Sequence, residues 1–225
     1  PKMHALTDNV LLKVVSMIHD PVTTTDELIP SGETSSYRSN PLGLAEFTLS
    51  RKDPAYVGLA KEMRAAEEVR RSGADVTESN AEVARAFKVI KEAYPELNAA
   101  ETEIGSTIFA VKPGDGSARE QAASCQRVLG GLANIANEYA TKRYRSNLIN
   151  WGLIPFIIDE GELPFKNGDF IFIPDAVKAI RDKASEVKAY VVKDKLCEFK
   201  LKIGELTDDE RQIILDGCLI NYYRH

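Results

Sequence analysis

The sequence predicts an α/β fold with a mixed sheet, because short β-branched apolar segments alternate with amphipathic helical patterns along its second half. An apolar share of 44% over 225 residues is enough to build an ordinary buried core. The chain contains no internal repeat and no low-complexity tract. We therefore predict one domain over residues 1–225, with a helical insertion at about residues 54–95.

The first half begins with a predicted buried strand and continues into a long polar loop. Residues 10–17 are apolar and β-branched, as in a strand buried on both faces. Residues 23–41 are rich in Thr, Ser, Gly and Pro, and a loop of this length in a compact domain is usually functional or disordered. Two amphipathic helices follow at 54–71 and 77–93, and their polar faces predict a layer packed on the core.

The second half supplies the rest of the predicted sheet. Residues 106–111 form a strand candidate that leads through a Pro-Gly-Asp-Gly turn into a helix at 117–129. Thr207 precedes three acidic residues and predicts the N-cap of a final helix at 207–222. A short helix is predicted at 138–145, and further strands at 131–136, 153–158, 170–173, 187–192 and 197–203.

Charge and hydropathy exclude two classes of partner. The formal net charge is −5 and the basic residues are scattered, so we expect no surface for nucleic acid. The longest apolar run, residues 148–158, is broken by Asn150, Gly152 and Pro155 and is roughly half of what a bilayer span needs. We therefore expect no membrane segment.

The cysteines predict neither a zinc site nor an iron–sulfur site. Cys125, Cys197 and Cys218 are far apart and form no C-x-x-C pair. We interpret them as reduced thiols of a cytoplasmic protein. The chain starts Pro-Lys-Met, which is not typical of a natural start and indicates a fragment of a larger protein.

The segment 112–120 (KPGDGSARE) carries the clearest chemical signal. A strand that turns directly into a helix through Gly-Asp-Gly-Ser places Ser117 and the amides after it at the positive end of that helix, where anions bind. Gly114 and Gly116 permit the backbone angles of such a loop, and Arg119 adds a planar donor that suits a carboxylate. Those donors could stabilise an alkoxide on Ser117.

The spacing alone also allows a plainer interpretation. Ser117 could simply cap its helix, while Arg119 pairs with Asp115 or Glu120. The loop is not the Gly-x-Ser-x-Gly elbow of serine hydrolases. It also lacks the Lys-Ser/Thr ending of a Walker loop. From the residues alone, a cap and a reactive oxygen both stay open.

Three motifs in order resemble the C-terminal swivelling domain of the aconitase family. Residues 114–120 (GDGSARE) are similar to the Gly-x-Gly-Ser-Ser-Arg-Glu-His motif of that domain, and residues 145–152 (RSNLINWG) are similar to its R-x-N-L-I-N-W-G segment. Upstream, the Thr-Thr-Asp that ends at Asp26 precedes Arg38 by the family's interval of twelve residues. The resemblance covers roughly residues 10–160.

The resemblance implies a swivelling β/β/α fold and a role for four residues. Ser117 is implied to be the base that removes a carbon-bound proton. Arg38 and Arg119 are implied to hold substrate carboxylates. Asp26 matches an active-site aspartate, which we expect to order neighbouring side chains.

Two positions depart from the family pattern. The second serine of the motif is Ala118 here, which removes a hydroxyl from the substrate side. The histidine after the glutamate is Gln121, which keeps a polar group but loses a titratable one. Both departures leave the predicted base and arginines in place, and both indicate a divergent branch.

The implied activity is the reversible dehydration and rehydration of citrate to isocitrate through cis-aconitate. The family's 4Fe-4S cluster is bound by domains that precede this one, so we expect this chain to bind no cluster or other cofactor and to be inactive alone. The implied partners are a small tricarboxylate and the cluster-bearing domains of the same protein.

Two further hypotheses stay open. The chain could be the small subunit of a two-chain isomerase of the isopropylmalate or homoaconitate type. It could also be a non-enzymatic anion-binding module. Arg38 offers a cation for a third carboxylate, which favours citrate and isocitrate over a substrate with an apolar branch.

Overall fold

A computed structural model describes residues 3–30 and 40–224 of the chain. Apart from two short strands, the strands of this described part form a closed barrel. The strands are β1 Asn9–Ile18, β2 Thr23–Thr24, β3 Thr102–Ala110, β4 Pro113–Asp115, β5 Gly131–Ala136, β6 Ile154–Ile157, β7 Phe170–Ile173, β8 Glu186–Val192 and β9 Leu196–Ile203.

The barrel order is β1-β3-β5-β6-β9-β8-β7, and β7 closes it by pairing with β1. The pairs β1–β3, β3–β5 and β5–β6 are parallel, whereas the other pairs are antiparallel. The remaining strands, β2 and β4, form a separate parallel ladder. The predicted mixed sheet of an α/β fold is therefore confirmed.

The burial patterns explain this division. Strands β3 and β5 are buried at every position, because the barrel interior lies on one face and helices cover the other. Strand β8 alternates exposed and buried residues, from exposed Glu186 to buried Val187, because its outer face meets solvent. The parallel strands β3 and β5 are thus covered on both faces.

The helices of the described part are mostly short. They are α1 Thr25–Leu28, α2 Pro41–Ala45, α3 Tyr56–Arg71, α4 Val76–Ser79, α5 Ala81–Ala93, α6 Arg119–Val128, α7 Lys142–Asn150, α8 Ala176–Arg181, α9 Asp208–Asp216 and α10 Leu219–Tyr222. None of them combines the length and apolar character that spanning a bilayer requires. Helices α3 to α5 fall within residues 54–95, and their assignment as an insertion stays a prediction.

Buried charges attach α3 and α6 to the barrel. Glu67 of α3 accepts a 2.8 Å hydrogen bond from the backbone N–H of Ile104. Arg127 of α6 lies 4.0 Å from the buried Glu103 carboxylate and donates to the carbonyl of Gly217 at 3.3 Å. Burial raises the pKa of the Glu103 carboxyl, and the positive charge of Arg127 opposes that rise. Helix α6 is therefore held at its C-terminal end, away from its N-terminal loop.

Two predicted helices are each broken into two. The predicted helix at 77–93 stops at Asn80, whose side chain accepts a 3.0 Å hydrogen bond from Val83 and starts a new helix. The predicted helix at 207–222 begins at the Thr207 cap as expected but ends at Gly217. Gly217 has φ +99°, and a Cβ there would lie 2.0 Å from the carbonyl of His4. The N-terminal segment therefore packs where the helix would have continued.

The predicted helix at 138–145 lies four residues further along the chain. The backbone N–H groups of residues 138 and 140 instead donate to the carbonyls of Val111 and Pro113. These bonds hold residues 138–140 beside the end of β3 and the start of β4, outside the helix. The helix can start only after Thr141, whose hydroxyl caps it by accepting from Tyr144 at 3.0 Å. This shift places Tyr144 in the first turn of α7.

Candidate functional site

A short parallel ladder brings two of the sequence motifs together. Strand β2 pairs with β4, with Thr23 opposite Pro113 and Thr24 opposite Asp115. The N–H of Thr23 donates to the carbonyl of Lys112 at 3.0 Å. The segment that ends at Asp26 and the loop that ends at Ser117 therefore leave the same end of one ladder. The predicted loop at 23–41 begins with ordered structure, contrary to the expectation of a continuous loop.

The helix that follows β2 is fixed by a capping box. The Thr24 hydroxyl accepts from the N–H of Glu27 at 3.1 Å, and the Glu27 carboxylate accepts from the N–H of Thr24 at 3.1 Å. Asp26 lies in the first turn of this helix and its side chain is exposed. Arg38, the other upstream candidate, lies outside the described residues.

The loop before α6 fits closely against Thr25. Gly116 has φ +127°, a conformation that residues with a Cβ rarely adopt. A Cβ at this position would lie 2.4 Å from the hydroxyl oxygen of Thr25, which is itself buried. Glycine is therefore required at 116 for two separate reasons, backbone conformation and space.

Ser117 lies between β4 and α6, with its side chain exposed. The N-cap of α6 is Ala118, and no side chain caps the helix. The Ser117 hydroxyl makes no hydrogen bond with any residue that the structure describes. The interpretation of Ser117 as a helix cap is therefore wrong. Its hydroxyl lies beside the N-terminus of a ten-residue helix whose first amides lack a side-chain acceptor.

Arg119 folds back over the loop that precedes it. Its Nη1 donates a hydrogen bond to the carbonyl of Gly116, and the side chain is half-buried. It forms no ion pair with Asp115 or Glu120, so that interpretation is also wrong. The backbone carbonyl orients the guanidinium without neutralising its charge, which leaves other N–H donors for an anion.

The two departures from the family motif have distinct surroundings. Ala118 is partly buried and packs against the apolar cluster between the barrel and its helices. Gln121 is partly exposed and lines a groove of about 980 Å³ together with Ser124, Asn147 and Trp151. The Ala118 methyl group thus packs in the apolar cluster, whereas Gln121 faces the groove between α6 and the end of α7.

This groove also joins the second motif segment to the C-terminal helix. Its far wall is formed by residues 218–221, and the exposed side chain of Ile220 is among them. The sequence provides no signal for this contact, because α10 has four residues and no apolar period that would identify its partner. Trp151 is partly buried and also packs against the apolar cluster that Ala118 contacts.

The described residues offer no group of three or more His, Cys, Asp or Glu side chains placed to hold a metal ion. Cys125 and Cys218 are buried free thiols, and Cys197 is exposed on β9. Burial raises the pKa of the Cys125 thiol to about 11. The cysteines of this chain therefore do not fit the ligand set of an iron–sulfur cluster.

Comparison with protein families finds a match to part of the chain. Residues 64–161 match the aconitase C-terminal domain. The match includes Ser117, Arg119 and the 145–152 segment, and it begins after Asp26 and Arg38. No curated protein sequence matches the chain significantly.

The fold is similar to that of a solved structure. The crystal structure of 3-isopropylmalate dehydratase (LeuD) from Methanocaldococcus jannaschii aligns with a TM-score of 0.56 and 22% identity. The alignment covers 96% of this chain and 93% of that one. The likeness therefore extends over the whole barrel and its helices, beyond the residues that match the family model.

The contact between Gly116 and Thr25 can be tested with a matched pair of substitutions. Gly161 has φ +128°, almost equal to that of Gly116, but no atom lies within 4 Å of a Cβ placed there. Gly161→Ala should therefore lower the free energy of unfolding by only about 1 kcal/mol, the cost of the backbone conformation. Gly116→Ala should cost a further ~1–3 kcal/mol, because the methyl group overlaps Thr25. Chemical denaturation measures both, and equal losses would contradict the described contact.

Proposed function

We propose, from the match of residues 64–161 to the aconitase C-terminal domain, that this chain supplies the base and two carboxylate clamps of an aconitase-type hydro-lyase. The observation that carries the proposal is the state of Ser117. Its hydroxyl is exposed, is not used as a cap, and lies at an uncapped helix N-terminus beside Arg119. No hydrogen bond to a described residue gives this serine a structural role.

The surroundings of Ser117 suit an oxygen that carries negative charge. A serine hydroxyl is a weak base, so its alkoxide needs oriented donors and a nearby cation. The first N–H groups of α6 have no intrahelical partner, and the helix dipole is positive at this end. Arg119 supplies the cation two residues after Ser117. These features support the assignment of Ser117 as the base.

Arg119 is proposed to hold a substrate carboxylate. Its contact with the Gly116 carbonyl uses one part of the guanidinium and orients the rest. The planar group can then donate two parallel hydrogen bonds to a carboxylate. Asp26 is proposed to order the side chains around this point, since the ladder brings its segment beside the Ser117 loop.

The proton and the hydroxyl group leave the substrate by different means. Ser117 is proposed to take the proton from the carbon next to a carboxylate, while Arg119 stabilises the charge that develops on that carboxylate. The departing hydroxyl group requires a Lewis acid, which in the aconitase family is a 4Fe-4S cluster outside this domain. The cysteines here do not fit such a cluster, so we propose that cluster-bearing domains or a cluster-bearing subunit complete the site.

Two substrate classes follow from different observations. A tricarboxylate such as citrate is favoured by the two arginines, Arg38 and Arg119, which provide separate cations for carboxylates. The small subunit of an isopropylmalate-type isomerase is favoured by the fold, since the LeuD alignment covers 96% of this chain. We propose the tricarboxylate first, because the charge of the binding groups sets the specificity of such a site more directly than its architecture.

Removal of the proposed base gives the first functional test. In the complex with the cluster-bearing part, Ser117→Ala should lower kcat on the order of 10²- to 10⁴-fold, because proton abstraction loses its general base. The free energy of unfolding should stay within about 0.5 kcal/mol, as expected for an exposed side chain. Ser146→Ala, an exposed serine on α7, is the matched control and should leave kcat unchanged. Full activity of Ser117→Ala would favour a non-enzymatic anion-binding role instead.

The arginine clamp is tested by a substitution that keeps its charge. Arg119→Lys loses the planar donor, so KM should rise by roughly 10- to 100-fold, equivalent to about 1.5–3 kcal/mol for a hydrogen bond to a charged group. Arg143→Lys, on the exposed surface of α7, is the control. Steady-state kinetics measures both. An unchanged KM in Arg119→Lys would exclude a bidentate contact.

The substrate class is tested at Arg38. If a third carboxylate binds there, Arg38→Ala should raise KM for cis-aconitate by at least 10-fold, on the order of a lost charge-assisted hydrogen bond. Hydration of an alkene dicarboxylate with an isopropyl branch should be slow in the wild-type complex and should not depend on Arg38. Preferred hydration of the branched substrate would instead support the isopropylmalate-type small subunit.

A further inference from the structure

We propose that Tyr144 is the positioning residue that holds Ser117 for proton abstraction. This inference rests on the proposed function, because it concerns the same loop and the same base. Tyr144 lies in the first turn of α7 and its side chain is completely buried. It therefore touches no substrate, and its effect on the reaction is exerted through its neighbours.

The aromatic ring of Tyr144 forms the support beneath Gly114. Gly114 has φ +102°, and a Cβ placed on it would lie 2.3 Å from Cγ of Tyr144. Backbone and ring are thus in direct contact, with no room for a side chain between them. Gly114 lies three residues before Ser117. The Tyr144 ring therefore limits how closely the loop backbone before Ser117 can approach the protein core.

Hydrogen bonds from the segment before α7 hold the same stretch of chain. The N–H of Ala140 donates to the carbonyl of Pro113 at 3.0 Å, and the hydroxyl of Thr141 donates to the carbonyl of Gly114 at 3.3 Å. The Thr141 hydroxyl also caps α7 by accepting from the N–H of Tyr144 at 3.0 Å. The start of α7 and the strand end before Ser117 are therefore one connected unit.

The hydroxyl of Tyr144 reaches the other side of the site. It accepts from the Gln126 side chain at 2.9 Å and donates to the Asn134 side chain at 2.6 Å. The Asn134 amide in turn donates to the Gln126 side-chain carbonyl at 2.6 Å, which closes a buried ring of three hydrogen bonds. Burial raises the pKa of the Tyr144 phenol, so the hydroxyl keeps its proton and the network stays complete.

This network also links Tyr144 to α6 and to the barrel. Gln126 belongs to α6, the helix that begins two residues after Ser117, and Asn134 belongs to the barrel strand β5. Tyr144 therefore contacts the chain before Ser117 with its ring and the helix after Ser117 with its hydroxyl. Ser117 itself has no hydrogen bond to a described residue. Its position therefore depends on the chain on either side of it, the strand end at Gly114 and helix α6.

The ring and the hydroxyl can be separated by two substitutions. Tyr144→Phe keeps the ring beneath Gly114 but removes the hydroxyl that accepts from Gln126 and donates to Asn134, so the free energy of unfolding should fall while kcat stays within about two-fold. Tyr144→Leu removes the support beneath the loop. In the complex with the cluster-bearing part, kcat should then fall at least ten-fold with a smaller change in KM, since a displacement of about 1 Å can cost up to ~10²-fold in rate. Rescue by phenylalanine is the signature of positioning by the ring.

A second measurement does not depend on turnover. Amide hydrogen exchange of residues 114–118 in the full chain should become faster in Tyr144→Leu and should be close to wild type in Tyr144→Phe. Phe87→Leu is the control, because Phe87 is a buried aromatic residue in a different apolar cluster on α5. It should destabilise the protein without changing exchange in this loop.

The possible outcomes distinguish this inference from the proposed function. Unchanged loop exchange and unchanged kcat in Tyr144→Leu would overturn the positioning role, as would an equal effect of Phe87→Leu. If Tyr144→Leu does not fold, Gly114→Ala serves instead and should accelerate exchange in the same loop more than Gly168→Ala, which has φ +93° and open space. If instead the proposed function is wrong, the wild-type complex should show no hydratase activity. Tyr144→Leu should then still accelerate amide exchange in the loop.

Discussion

The site depends on the close contact between a glycine loop and two side chains that lie on either side of it. Gly116 has no room for a side chain because Thr25 lies against it, and Gly114 has none because Tyr144 lies against it. The parallel ladder of β2 and β4 brings the first of these contacts into register. Together the two contacts fix the position of the loop that carries Ser117 and leads into α6.

The barrel provides the rigid base for this arrangement. Its parallel strands β1, β3 and β5 form one half of the barrel and are almost entirely buried, because helices cover their outer face. Helices α6 and α7 both belong to that half and meet in the buried network of Gln126, Asn134 and Tyr144. The exposed Ser117 thus precedes a helix that this buried network attaches to the barrel.

The fold class and most strands could be predicted from local pattern, because apolar β-branched runs show their burial directly. The strand at 131–136 and the strand at 170–173 were predicted with the observed bounds. The helix breaks at Asn80 and Gly217 could not be predicted in the same way, since each depends on a contact with distant chain or on competition between two caps. Closure of the sheet into a barrel depends on the pairing of β7 with β1, residues that are about 160 positions apart.

For the site, the sequence by itself determined the residue types: a serine after a Gly-x-Gly turn, an arginine two residues later, and an upstream Thr-Thr-Asp segment. Such a pattern leaves both a cap and a reactive oxygen open, because both place a serine before a helix. Only the tertiary structure excluded the capping role, since the helix starts at Arg119 and its N-cap is Ala118. The support from Tyr144 was also beyond the sequence, because a buried hydrogen-bond ring joins residues that share no local spacing and meet only when the barrel is complete.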